Sequence, residues 1–393
     1  MAKDEKNVAR VVIKECDTYQ IEQVMEKINS GMDCLGGWDA FVKPGMTVLL
    51  KVNLIGPKTS DTAAITHSEF VRAITRILKA RGCTVWIGDS SGGAIAGTAP
   101  TAQSFVVSGL KQVAKEEGAQ IKNFDREGVE EVLIRNGRVD RMHLAKPVFQ
   151  ADLVINVPKF KTHSAAVFTG AVKNIFGLIP GLKKADYHRI APSPKDFAHV
   201  IASMHKATSI GLHIMDGITA MQGEGPTAGT VYKANKILIS TDPVALDAVA
   251  VKMMGLDVDD VVILAVARDE GLGEADVGKI SAVGDYQAPP RLEGFRLPKY
   301  TRWLRLRNYG FVSTALQFLK TRPRINLEKC RHCNMCVESC PVQVIDEATK
   351  VVDYAHCIEC MCCHELCGYQ AIELRKDNVL AGLLIRLYGA IRR

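Results

Sequence analysis

Nine of the twelve cysteines fall between Cys330 and Cys367, in two runs of one design. The first is Cys330-x2-Cys333-x2-Cys336-x3-Cys340-Pro341, and the second is Cys357-x2-Cys360-x2-Cys363-x3-Cys367-Gly368. Thiolates at this spacing let a short loop curl around three corners of an iron–sulfur cube, while the fourth corner comes from the other run. The pattern therefore predicts two [4Fe–4S] clusters. One is expected on Cys330, Cys333, Cys336 and Cys367, the other on Cys340, Cys357, Cys360 and Cys363. The exchange of fourth ligands ties the two runs into one small α+β domain of bacterial-ferredoxin type.

Zinc knuckles use paired C-x2-C and have no use for a third and fourth cysteine at these offsets. Soft thiolates suit iron, and a reducing compartment keeps them available for cluster assembly. Gly368 stands where the first run has Pro341, and a glycine also makes that turn. Cys362 is left over beside Cys363. It reads as a small buried residue, the sharper alternative being a substitute ligand after oxidative damage. Cys16, Cys34 and Cys83 are scattered and read as buried small residues.

A second set of chemistry-bearing residues lies earlier in the chain. Its densest part is Asn156-Val-Pro-Lys-Phe-Lys-Thr-His163, where extended backbone would send Lys159, Lys161 and His163 to one side. Lys173 and Asn174 follow within Gly170-Ala-Val-Lys-Asn-Ile-Phe-Gly177. Lys51 with Asn53, Asp89-Ser90-Ser91, Asp216 and Gly223-Glu224-Gly225-Pro226 complete the set. Lysines and a histidine gathered at a strand end favour an anionic small molecule such as a carboxylate or phosphate. The alternative is a solvated lysine-rich loop. The candidate catalytic or binding residues are thus Lys159, Lys161, His163, Lys173, Asn174 and Glu224. Glu224 and Asp216 have the chemistry of a general base or metal ligand, and equally that of turn-stabilising residues. Asp242-Pro243 reads as a helix N-cap and first helical residue; Asp247 stays ambiguous.

The elements that must position these groups alternate. Strands are expected at Arg10 to Glu15, Thr47 to Leu54, Cys83 to Gly88, Leu153 to Val157, Leu212 to Met215 and Lys236 to Ser240. Helical spacing runs through Ile21, Val24, Met25 and Ile28, then from near His67, from Thr101 to Glu117, and from Asp242. Such alternation predicts an α/β fold with a largely parallel sheet layered with helices. In open α/β sheets, ligands sit beyond the carboxyl ends of the strands, where the polar groups above lie. Glu130 to Val148, with a turn at Asn136-Gly137, reads as a hairpin that elaborates the main sheet.

Four segments follow: an α/β domain over 1–290, a basic aromatic bridge over 291–325, the cluster domain over 326–376 and an amphipathic helix over 377–393. In the bridge, Lys299, Arg302, Arg305, Arg307 and Lys320 interleave with Trp303, Leu304, Leu306, Phe311, Leu316 and Phe318. In the last segment Leu380, Leu383, Leu384, Leu387, Tyr388 and Ile391 share one helical face. Both read as helices packed between the two domains, with docking on a membrane surface or a partner protein as the alternative. From Lys299 onward there are 15 Lys+Arg against 9 Asp+Glu, which is +6 of the chain's net +7. Eight thiolates on two oxidised cubane cores add about −4, so the basic excess does not point to nucleic acid.

The hydrophobic share is 47% and the charged share 24%, ordinary for a globular protein. The chain opens without an apolar signal region and has no uncharged stretch of membrane-spanning length. The expected location is cytoplasmic. A dinucleotide fingerprint after a strand, a phosphate-binding P-loop and H-E-x-x-H are all absent.

Lys51-Val-Asn-Leu, Asn156-Val-Pro-Lys-Phe-Lys-Thr-His163, Gly170-Ala-Val-Lys-Asn-Ile-Phe-Gly177, Gly223-Glu-Gly-Pro226 and Asp242-Pro-Val-Ala-Leu-Asp247 occur in this order. Together they resemble the bacterial and archaeal family known as domain of unknown function 362, over roughly residues 45 to 270. The resemblance implies the architecture, and a pair of ferredoxin-like cluster motifs that members often carry. It implies no reaction and no catalytic roles. The expectation is a redox protein whose two clusters pass electrons to a ligand, cofactor or redox partner protein bound by the α/β domain, as a ferredoxin-like oxidoreductase or reductase component. The alternatives are an assembly or maturation factor for a metalloenzyme and a cluster-based redox sensor; no DNA-reading module is recognisable.

Overall fold

The computed structural model describes residues 8–95, 97–134, 139–299, 301 and 321–376. The bridge from 302 to 320, the C-terminal segment 377–393 and the turn at Asn136-Gly137 lie outside the described residues, and with them the docking helices expected there.

The strands in chain order are β1 (Arg10–Glu15), β2 (Thr47–Lys51), β3 (Thr84–Asp89), β4 (Gln120–Asn123), β5 (Val129–Leu133), β6 (Arg141–Ala145) and β7 (Leu153–Asn156). They continue as β8 (Lys159–His163), β9 (Val167–Thr169), β10 (Leu212–Gln222), β11 (Thr230–Ser240), β12 (Ser281–Gly284), β13 (Thr321–Ile325) and β14 (Ile372–Lys376). Among the described residues, ten of them form one sheet in the order β12-β1-β11-β10-β7-β2-β3-β4, with β8 on β10 and β9 on β8. The run β10-β7-β2-β3-β4 is parallel throughout, whereas β11 is antiparallel to both β1 and β10. The expected α/β layering holds, with a mixed sheet that is mostly parallel.

Alternation along the strands divides two cores. Val11, Ile13, Leu49, Val154 and Leu238 join one, packed under the helices Pro194–Ala207, Pro243–Met254 and Val262–Asp269. Val12, Val48, Leu50, Ile155 and Ile239 join the other, under Ile21–Asp33, Ser68–Ala80 and Leu110–Glu117. Buried on both faces, such strands read as continuous apolar runs.

Several expected boundaries move. The helix expected from Thr101 to Glu117 is two helices, Thr101–Val107 and Leu110–Glu117, because Gly109 sits at φ 83 between them. β10 and β11 each reach 11 residues, far beyond the apolar cores that announced them, and form a long antiparallel pair with a register shift between Gly217 and Thr219. β5 and β6 pair with each other but do not join the main sheet. That corrects the expected elaboration: Met142 and Leu144 of β6 enter the core, while β5 is mostly exposed. β13, within the stretch assigned to the bridge, pairs with β14 and so brackets the cysteine runs.

Gly88, in β3, shows how tightly the strand ends are set. A Cβ there would meet the Phe124 ring at 2.5 Å and Leu49 at 3.0 Å. Gly88→Ala is therefore expected to destabilise the fold by about 1–3 kcal/mol through overpacking, measured by urea unfolding against the wild type; an unchanged midpoint would show that Phe124 moves freely.

Candidate functional site

The carboxyl ends of three neighbouring parallel strands lie side by side. Lys51 ends β2 in register with Gly88 of β3 and Asn156 of β7. Lys51 is wholly buried, and its Nζ lies 3.0 Å from Asp89 Oδ1 while donating to Val52 O at 2.7 Å and Asn174 O at 3.0 Å. Burial pushes the lysine down and the carboxyl up, and each opposes that shift in the other. Such a pair persists only with its remaining hydrogen bonds filled. Asp89 meets this by accepting from the Leu54 and Ser90 amides at 2.8 and 2.7 Å.

The Gly170 to Gly177 segment crosses above these ends. A Cβ at Gly177 would lie 2.3 Å from Asp89 Oδ1 and 2.7 Å from Lys51 Nζ, and one at Gly170 would lie 2.1 Å from Asp247 Oδ1. Both glycines are thus required by space beside a buried carboxylate. Asp247 accepts from the Ala171 and Val172 amides at 2.7 and 2.9 Å. It anchors the short helix Ala171–Asn174 that carries Lys173 and Asn174, which resolves its ambiguous role. Asp242 is the N-cap expected, accepting from Val244 and Ala245.

Lys161 and His163 leave β8 toward this same region, and both are buried. Lys161 Nζ donates to the neutral Ala64 carbonyl at 2.5 Å. Burial, reinforced by the charge of Lys173, drives Lys161 far below the ordinary lysine range. His163 Nδ1 accepts from the Ala165 and Ala166 amides, both at 3.1 Å. That fixes its proton on Nε2, which lies 3.2 Å from Glu365 Oε1 without the alignment of a hydrogen bond. Burial pushes His163 down to about 4 in spite of that carboxylate. Among the described residues no hydrogen bond or ion pair reaches Lys173 Nζ, although Glu365 and Cys362 act on its charge.

These groups line a cavity of about 150 Å³ together with Asn53, Asp89, Thr169, Lys184, His188, Cys362, Glu365 and Leu366. A larger cleft, of about 1010 Å³, continues past His163, Lys173 and Glu224 to Cys360 and His364. Of the candidates named from sequence, Lys161, His163, Lys173 and Asn174 meet in the smaller cavity. Lys159 stands behind it, paired with Asp216 at 2.8 Å and donating to Tyr19 and Thr219. Glu224 accepts from the Lys299 amide at 2.8 Å on the larger cleft.

Lys184, His188 and Glu365 went unnoticed in the sequence. Lys184 sits in no motif; burial brings it down to about 8 beside Asp125 and Asp89. Glu365 did carry a signal, being a carboxylate inside a cysteine run that should avoid added negative charge. Burial would raise it, but His163 and Lys173 hold it down to about 2. Gly88-Asp89-Ser90-Ser91-Gly92 matches the G-x-S-x-G pattern, a motif the sequence was read as lacking. Ser90 is no free nucleophile, since its hydroxyl donates to Asp125 and accepts from Lys184 and Gly181.

The cysteine region packs onto this wall through two short helices. Met335–Glu338 accepts through Glu338 from the Gly97 amide at 2.8 Å, and the adjoining Ser339 accepts from Ala94 at 2.9 Å. Cys362–Leu366 takes Thr227 Oγ1 on the Glu365 carbonyl at 2.6 Å and sets Leu366 against Gly93. Cys362 is buried as expected and faces the lysine cavity rather than its neighbouring thiols alone. All twelve cysteines are free of disulfides. Two small cavities, each of about 20 Å³, lie in the domain. Cys330, Cys333, Cys336 and Cys367 line one, and Cys340, Cys357, Cys360 and Cys363 line the other. The thiol sets fit iron–sulfur ligation, each drawing three cysteines from one run and one from the other.

Four buried side chains form a directed chain behind the cavity. Asn156 Nδ2 approaches Ala171 O at 2.9 Å and His213 Nδ1 at 3.0 Å, Asn174 Nδ2 donates to Asn156 Oδ1 at 2.7 Å, and Asn53 Nδ2 donates to Asn174 Oδ1 at 2.7 Å.

The family described as Domain of unknown function (DUF362) matches residues 48–252, and a 4Fe-4S binding domain matches residues 322–345. The thylakoid-associated protein sll1697 of Synechocystis sp. is 30% identical over 274 residues, covering 68% of this chain and 80% of that protein. Pyruvate synthase subunit PorD of Methanothermobacter marburgensis is 32% identical over 57 residues, 14% of this chain and 69% of that subunit. Among solved structures, the lactate racemase apoprotein of Thermoanaerobacterium thermosaccharolyticum aligns at TM-score 0.40 and 13% identity, over 65% of this chain and 60% of that one. The second match places at least one [4Fe–4S] site in the C-terminal region. No helix among the described residues is long and apolar enough to cross a membrane.

Burial pushes His213, at the inner end of the amide chain, down to about 3. An unfolded histidine titrates near 6.5. Between the two values the unfolded state binds the extra proton, so stability falls as pH drops below about 6.5, by about 1.4 kcal/mol per pH unit. His213→Asn should remove one proton's worth of that slope between pH 6 and 4 in urea titrations run beside the wild type; parallel slopes would contradict the assignment.

Proposed function

This chain belongs to the domain of unknown function 362 family, and on that footing we propose that it is an iron–sulfur redox protein delivering electrons to a small anionic ligand held in the lysine cavity. Two [4Fe–4S] clusters would occupy the two cysteine-lined cavities, on the ligand sets expected from the spacing. Centres of this kind supply single electrons over a wide range of potentials. The observation that carries the reading is a shared wall: the helix Cys362–Leu366, which holds ligand Cys363, also contributes Cys362, Glu365 and Leu366 to the cavity containing Lys161 and Lys173.

The side chains have distinct roles in this reading. Lys161, Lys173 and Lys184 bind the anion, none of the three donating to a carboxylate. A buried cation prefers an anionic partner, and charge gained on reduction is stabilised in the same field. His163 Nε2–H and Thr169, whose hydroxyl is buried and unpartnered, are further donors. Lys51 with Asp89 is the fixed, mutually neutralised floor. Cys333 is exposed, so a redox partner protein would approach the cluster on Cys330, Cys333, Cys336 and Cys367.

Anaerobic reconstitution tests the clusters. The wild type is expected to hold about eight irons and eight sulfides per chain, and Cys333→Ser or Cys357→Ser each to lose the signal of a different centre in the reduced EPR spectrum. A sample saturating at about four irons would remove one cluster from the proposal. Anion binding should perturb the spectrum of the centre nearer the cavity, and Lys161→Ala with Lys173→Ala should abolish that perturbation. Should the double variant respond like the wild type, the cavity is not the anion site.

A further inference from the structure

The amide chain behind the cavity has only one possible direction. Ala171 O can only accept, so the Asn156 group facing it at 2.9 Å is the NH2, and Asn156 Oδ1 must face Asn174. Asn174 therefore presents its own NH2 there, consistent with its approach to the Lys51 and Val52 carbonyls at 3.4 and 3.3 Å. Its oxygen is turned to Asn53, which must present NH2 in turn. The last acceptor, Asn53 Oδ1, is left buried without a partner, and Asn53 lines the lysine cavity at 9% exposure. An unfilled buried acceptor is unfavourable, and it cannot be relieved by flipping the amide, because a flip would set oxygen against oxygen along the chain.

We propose that the ligand is a small oxyanion carrying its own hydrogen-bond donor beside the charge, a hydroxycarboxylate or a protonated phosphate, and that Asn53 Oδ1 selects it. The inference rests on the anion-binding reading above. It adds a requirement that the lysines alone do not impose: Lys161, Lys173 and Lys184 accept any oxyanion, whereas Asn53 Oδ1 is satisfied only by a ligand that donates. A ligand with oxygens bearing no hydrogen would place lone pairs against it. The volume, about 150 Å³, restricts the choice to molecules of a few heavy atoms. Asn53 is a specificity-determining residue in this scheme and takes no part in electron transfer.

Matched anions decide the matter on the anaerobic, cluster-loaded full chain by isothermal titration calorimetry at pH 7. Inorganic phosphate is compared with sulfate, and glycolate with acetate, the first of each pair bearing the extra donor. Phosphate and glycolate are each expected to bind about tenfold or more tightly than their partners, and the better-bound pair identifies the headgroup. Asn53→Ser, which loses the extended acceptor, should bring the preferred pair to within about twofold; the ratio within the pair is the readout, because the variant also removes the donor to Asn174 Oδ1 and so acts on all four anions alike. Equal binding within both pairs on the wild type overturns the selection by Asn53 and leaves the anion site standing. Binding of none of the four overturns the anion site itself, and this inference with it.

Discussion

Lysine ammonium groups held out of water are the constraint around which this protein is organised. Lys51 and Lys159 are wholly buried and Lys161 is 1% exposed, although an unpaired buried cation is among the most unfavourable groups a fold can contain. The three are handled differently. Lys51 and Lys159 each have a buried carboxylate within 3.0 Å. Lys161 has a single neutral carbonyl. In the first two the protein supplies a paired carboxylate; among the described residues the third has none at hydrogen-bond distance.

The motif glycines and carboxylates follow from that arrangement. The segment from Gly170 to Gly177 must pass close over two buried acids, so neither end can carry a side chain. Asp247 then fixes the short helix between them by its first amides, which sets Lys173 and Asn174 over the strand ends. Lys51, Asn53, Asn156 and Asn174, separated by up to 123 positions in sequence, are thereby joined by direct hydrogen bonds. The ordered appearance of these short motifs along the chain reflects one polar layer laid across the carboxyl ends of β2, β3 and β7.

Much of this was legible in the chain itself, for physical reasons. Apolar runs in β1, β2, β3 and β7 announce strands because both faces are buried. Asp242-Pro243 announces a helix start because an N-cap needs a side-chain acceptor and the next residue needs no N–H. Cysteine spacing announces which thiols can meet around one cavity. Other features depend on distant packing and leave little local trace. The far halves of β10 and β11 are strand because they pair with each other, and Gly217 and Gly229 within and between them argue locally for a break. Lys159 shares the alternation of Lys161 and His163, yet Asp216, across the β8–β10 pairing, claims it. Lys184 and His188 enter the cavity from a helix of mixed polarity with no marked face.

Glu365 links the two halves of the molecule. A carboxylate between Cys363 and Cys367 adds negative charge inside a run of closely spaced thiols. Its position is understandable only from the other side of the interface, where His163 and Lys173 face it. The helix Cys362–Leu366 therefore supplies the carboxylate that faces His163 and Lys173, and Leu366 closes against Gly92 and Gly93. Remove that helix and the lysine cavity loses both a wall and the carboxylate facing His163 and Lys173. The polar site and the cysteine domain are in this sense one construction: the body gathers positive charge at its strand ends, and the cysteine-bearing segment balances part of it through Glu365.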